Sequence, residues 1–172
     1  MISRQDDLAM ELRARLSNKF NTTILEEFAE FFIIVKIAAN SLYKEGDFLG
    51  AESEFRDLLV LSTSIFGEQS MATIEVAKEL GKSISKQNNH VESEAVFRKW
   101  LEISKSALGE THHTTLSLAK YYAGSLYYQK NYSEAEAVFR EWLEISKNEL
   151  EEDNATTIDF ANWMAGSLYK QE

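Results

Sequence analysis

The sequence has no cysteine, no proline and only seven glycines in 172 residues. Without cysteine there is no disulfide framework and no thiolate metal site, so nothing points to secretion. The few glycines form no phosphate-cradling loop, and no nucleophile elbow is present. Long apolar runs are missing as well. The longest apolar cluster, Phe31 to Val35, stops at Lys36 and is far too short to span a bilayer. The first residues, MISRQDDLAMELRARL, carry acids where a signal peptide needs an apolar core, so a cytoplasmic location is expected. Positive charge is also scarce: the formal net charge is −10, which argues against a nucleic-acid binder.

What the chain does have is a period of 42 residues. Leu42, Ile84, Leu126 and Leu168 are evenly spaced, as are Phe55, Phe97 and Phe139, each followed by arginine (Arg56, Arg98, Arg140). Ala39, Gly81, Ala123 and Ala165 keep the same register, and so do Thr73, Thr115 and Thr157. A fixed period of this size marks a solenoid, in which each unit buries its apolar face against its neighbours.

The local pattern predicts seven to eight helices. Ser3 with Asp6 resembles a capping box, and Leu8, Leu12 and Leu16 recur at helical spacing, placing a helix near 4–19. Thr23 with Glu26 is a second box, opening a helix that runs to about Glu45. Breaks at Gly46-Asp47, Asn88-Asn89 and Asn131 precede second helices near 49–65, 91–107 and 133–149. Further first helices follow near 71–87, 113–129 and 155–170. In the first helices, Val35/Ala39/Leu42, Ala77/Gly81/Ile84, Ala119/Ala123/Leu126 and Ala161/Ala165/Leu168 fall on one face. The small middle residue suits close helix approach. In the second helices, Ala51/Phe55/Leu58, Ser93/Phe97/Trp100 and Ala135/Phe139/Trp142 do the same.

The string SLYYQKNYSEAEAVFREWLEISK and the connection LGETHHTTL resemble the tetratricopeptide repeat in its 42-residue, kinesin-light-chain-like form. The resemblance covers about residues 27–172. It implies an all-α fold, a right-handed α-solenoid of antiparallel helix pairs. The chain then divides into an N-terminal helix and loop (1–23), either a cap or a degenerate half-repeat, three repeats (24–66, 67–108, 109–150), and a closing segment (151–172). That last segment is the first helix of a fourth repeat or a capping helix. Two departures stand out: His113 where the family linker has proline, and Trp100 and Trp142 where it has a small alanine.

Charge is divided between the two kinds of helix. Over 31–45, 72–87, 114–130 and 156–171 the first helices carry eight lysines against four acids, whereas over 49–65, 91–107 and 133–149 the second helices carry six bases against eleven acids. In the family this chain resembles, first helices line a concave groove, so the resemblance implies a basic groove on an acidic protein. Lys36, Lys78 and Lys120 form a ladder with Asn162 as its fourth rung. Asn40, Tyr43, Lys82, Tyr121, Tyr127 and Trp163 lie on the same flank, with Tyr128 and Tyr169 nearby. Such a set suits a protein or peptide ligand of acidic character, with ammonium groups on carboxylates and rings on apolar side chains. The alternative is that the lysines are only solvated helix surface. Lys78→Glu and Lys120→Glu are expected to weaken partner binding with little effect on folding. Arg56, Arg98 and Arg140 are expected to pair with acids on their own helices.

No catalytic residue, cofactor or metal site is expected. His112-His113 is the one histidine pair, with no carboxylate at ligand spacing beside it. A second functional reading is an assembly module that works through its ends. In it Phe160 and Met164 lie on the flank that a following second helix would cover. Either the chain is an excised piece of a longer array, or this edge pairs with another domain or a second copy, the last giving a homodimer through the C-terminal edge.

Overall fold

The computed structural model describes residues 22–149 and 154–171. The helix expected at 4–19 lies outside the described residues, as do positions 150–153 of the last connection. Among the described residues there are seven helices and no strand: α1 (Thr22–Glu45), α2 (Phe48–Phe66), α3 (Met71–Lys86), α4 (His90–Leu108), α5 (His113–Tyr128), α6 (Tyr132–Glu149) and α7 (Ala155–Tyr169). From α2 onward every boundary lies within one residue of its expected place.

The punctuation repeats with the sequence. Gly46, Asn88 and Lys130 all take the left-handed conformation, with φ of 89°, 62° and 65°. That geometry ends a first helix and turns the chain back. Asp47 and Asn89 then cap the second helices, accepting from the backbone N–H of Gly50 and Glu92. At the other connections His112 Nδ1 accepts from the Thr114 N–H at 3.2 Å and Asn154 Oδ1 from the Thr156 N–H at 2.9 Å.

Each helix packs on the next, and α3 also meets α5 as α5 meets α7. The first helices thus form a row of their own. Phe55, Phe97 and Phe139 are completely buried at the centre of this packing, and burying each contributes about 2–3 kcal/mol. Trp100 and Trp142 are buried as well. The core falls into two clusters, one around Phe55 and one around Phe97 and Phe139, with Leu59 and Val96 packed against both.

The periodic arginines of the second helices are paired. Arg56 meets Glu52 at 2.7 Å, Arg98 meets Glu94 at 3.5 Å and Arg140 meets Glu136 at 2.5 Å, each one helical turn away. A second periodic device escaped the sequence reading. The side-chain amides of Gln87, Gln129 and Gln171 donate to the carbonyls of Phe48, His90 and Tyr132 at 3.3, 3.2 and 3.5 Å. Each glutamine ties the end of one first helix to the start of the preceding second helix.

One expectation changes, that of the uncovered flank. Phe160 is fully buried, 6.4 Å from the Phe139 ring, and Met164 is partly buried against the same core. The register mates of Phe160, Val76 and Leu118, are buried in the same way, because this face meets the preceding second helix. The uncovered face of α7 is instead the one holding Ala165 and Leu168, both exposed.

Candidate functional site

Along the row of first helices runs a cleft of about 360 Å³. Its walls are Tyr43 of α1, Lys82, Ser85 and Lys86 of α3, and Lys120, Tyr121, Gly124, Ser125 and Tyr128 of α5. Asn88 and His90, at the turn into α4, and Trp163 of α7 complete it. Three lysines and four large aromatic rings line it, and no acidic residue does.

The aromatic walls are anchored from behind. Tyr121 stacks on the buried Phe97 with ring centres 5.3 Å apart, and Trp163 stacks on Phe139 at 5.8 Å. These pairs are 42 residues apart in register, so one second-helix phenylalanine holds each wall. Tyr128 stacks on His90 at 5.0 Å. Burial lowers the His90 pKa below its ordinary value, so the imidazole is neutral at neutral pH. Its Nδ1 is buried with no hydrogen-bond partner among the described residues. Gly124 leaves open space in the wall, since a Cβ there would meet nothing within 4 Å.

The ladder lysines are already engaged. Lys78 Nζ lies 2.9 Å from Glu75 and 3.7 Å from Glu79, with its side chain only 13% exposed. Lys82 Nζ donates to Glu79 at 2.6 Å and sits 5.3 Å from the centre of the Tyr43 ring and 6.0 Å from that of Tyr121. Burial lowers the Lys82 pKa, but the bond to Glu79 and the charge beside it outweigh that and raise it overall. Glu75 shows the mirror case. Burial pushes its carboxyl up, while hydrogen bonds from Thr114 and Lys78 prevail and hold it below the ordinary value. Lys120 reaches across to Asp159 of α7 at 2.8 Å. Lys86 is exposed and makes no ion pair among the described residues.

Of the ten residues expected in the groove, the cleft brings together Tyr43, Lys82, Lys120, Tyr121 and Trp163. Lys36, Asn40, Lys78, Tyr127 and Asn162 do not line it. Asn40 Nδ2 donates to the Lys36 carbonyl at 2.7 Å. Tyr127 packs edge-on against Tyr132 and Trp163 at 5.1 and 5.5 Å. Asn162 is exposed. The reading missed Ser85, Asn88, His90, Gly124 and Ser125 and gave Lys86 no site role. Its own signal for Lys86 was a lysine in excess over acids on α3.

No group of three or more metal-binding side chains occurs among the described residues, and no described helix is long and apolar enough to cross a membrane.

Residues 74–148 match the family described as Tetratricopeptide repeat. The fold is shared with the nearly identical TPR-like repeats of a Podosopora anserina protein assigned as a kinesin light chain. A singly substituted form of that protein is 12% identical with a TM-score of 0.75, covering 96% of this chain and 76% of the other. BtubC (BKLC) from P. vanneervenii is 18% identical with a TM-score of 0.69, covering 97% of this chain and 68% of the other. No curated protein matches the sequence.

Proposed function

We propose, for a chain that carries tetratricopeptide repeats of the kinesin-light-chain-like type, that it binds an acidic peptide segment of a partner protein in the cleft along its first helices. Tetratricopeptide repeats are in general protein–protein interaction scaffolds rather than enzymes. The observation that carries the finer reading is the lining itself: lysines and large aromatic rings without an acid. An acidic side chain entering it would meet Lys86 in an exposed position. It would reach Lys82 and Lys120 only in competition with Glu79 and Asp159. A ring on the ligand would find Tyr128 and Trp163 held 6.2 Å apart. The affinity is therefore expected to depend on salt and on more than one ligand carboxylate.

Selecting from a displayed random peptide library against the wild-type chain tests this, with Lys86→Glu as the counter-screen. An acidic consensus flanking an aromatic, lost on Lys86→Glu, is the expected result. A consensus without acids, or one that ignores the substitution, would overturn the reading.

A further inference from the structure

Helix α1 differs from the other first helices on the face that looks back along the array. On α3, α5 and α7 one stripe of that face is 0–3% exposed: Thr73 with Val76, Thr115 with Leu118 and Thr157 with Phe160. The second helix that precedes each in the chain packs there. The same two positions on α1 are Phe31 and Ile34, 53% and 64% exposed. A second departure lies beside them. Asp159 of α7 receives Lys120 of α5 at 2.8 Å, and the Lys36 ammonium of α1 helps hold the Glu75 carboxyl of α3 below its ordinary value. Glu75, Ser117 and Asp159 keep that register position polar, whereas α1 carries Ile33, 54% exposed. One turn later, Glu79, Tyr121 and Trp163 are matched on α1 by Ile37, 63% exposed. Four large apolar side chains thus stand open among the described residues within positions 31–37. Two of them stand where the repeats place charged, hydroxyl or ring groups.

We propose that residues 4–19 of this chain, laid as a helix antiparallel to α1, cover that face. The order second helix, short connection, first helix is the one that α2–α3 and α4–α5 already follow, joined by residues 67–70 and 109–112. Leu8, Leu12 and Leu16 recur every four residues and give the segment one apolar stripe. Glu11-Leu12-Arg13 repeats the pattern of Glu54-Phe55-Arg56 in α2, whose Phe55 is fully buried. Charge agrees as well. A register that sets Leu12 against Phe31 and Leu8 against Ile34 brings Arg13 to the exposed Glu30. Glu30 keeps the register of Thr114, whose hydroxyl donates back to Glu75 on α3, so this position also faces the helix before. Ile37 shares its register with the cleft walls Tyr121 and Trp163. The segment therefore bounds the lysine-lined cleft at its Tyr43 end.

The chain has no cysteine, so a single introduced thiol reports on this face. Ile34→Cys is labelled with a maleimide in the whole chain. Val60→Cys, at a 71% exposed position of α2, is the open reference. The Ile34→Cys thiol is expected to react at least tenfold more slowly than the reference, and Leu12→Asp should restore its rate. Mild oxidation of Ile34→Cys paired in turn with Gln5→Cys, Leu8→Cys and Leu16→Cys should give a within-chain disulfide, formed fastest with Leu8→Cys. An unchanged thermal transition confirms that Ile34→Cys keeps the fold. Reaction as fast as the reference overturns the proposal, as does protection that survives Leu12→Asp or a disulfide rate indifferent to the partner position. Protection that fades on dilution, or a disulfide linking two chains, overturns it in favour of a second copy.

Discussion

The Phe97 ring fills the space where a side chain at position 81 would stand: a Cβ on Gly81 would lie 2.5 Å from Cε1 and 2.7 Å from Cζ. The register mate of Gly81 on α5 is Ala123, which is fully buried in the same cluster as Phe139, the mate of Phe97. Gly81→Ala gains about 1 kcal/mol of helix propensity but forces a buried ring to move. A net loss of about 1–3 kcal/mol is expected by chemical denaturation.

Gly124 and Gly166 are the contrasting case, with nothing within 4 Å of a built Cβ. Gly166→Ala should stabilise the chain by about 0.5–1 kcal/mol. Gly124→Ala should stabilise it similarly while narrowing the cleft. In the peptide-binding reading its affinity falls as its melting temperature rises. Measuring both on one protein separates the two effects.

Lys130 holds a left-handed conformation with φ of 65° where the first repeat has Gly46. Lys130→Gly should raise stability by about 1 kcal/mol, because the Cβ penalty of that conformation disappears. An unchanged or lowered denaturation midpoint would show that Lys130 makes a compensating contact.

Lys78→Glu is now expected to harm the fold, contrary to the sequence-based expectation. It would set a third carboxylate beside Glu75 and Glu79 in a largely buried position. With allowance for partial exposure, the loss is about 1–3 kcal/mol. Lys120→Glu faces the more exposed Asp159 and should cost less, about 1 kcal/mol or below. Paired denaturation curves of the two variants test the order.

Acid should destabilise the chain in two stages. His90 and His112 are both lowered below their ordinary value of 6.5, His90 by burial and His112 by burial together with the neighbouring His113. The unfolded chain therefore takes up these protons first, and stability falls as pH drops below about 6.5. Glu75 is lowered from its ordinary 4.5, so its contribution is full above that value and is lost as pH falls further. Melting temperature from pH 8 to 3 should show both stages, with Glu75→Gln removing much of the lower one.

The fold was legible because every repeat must bury the same stripe. That necessity wrote the 42-residue period into Phe55, Phe97 and Phe139 and into the breaks at Gly46 and Asn88. The site was half legible. Tyr121 and Trp163 announce themselves by size and register. The engagement of Lys120 by Asp159, however, spans 39 residues and is set by the distance between α5 and α7. Gly124 and His90 carry no periodic signal of a cleft. Phe160 and Met164 were expected on the face that a following second helix covers, whereas the register of Phe160 with the buried Val76 and Leu118 assigns it to the α6 side.

The central claim, an acidic ligand in the cleft, can be tested on three indole protons. Trp100 and Trp142 are buried in the core, whereas Trp163 lines the cleft and is only half-buried. A selected acidic peptide titrated into ¹⁵N-labelled protein should shift the Trp163 indole N–H resonance and leave those of Trp100 and Trp142 in place. Saturating binding with the Trp163 resonance unmoved would contradict the account.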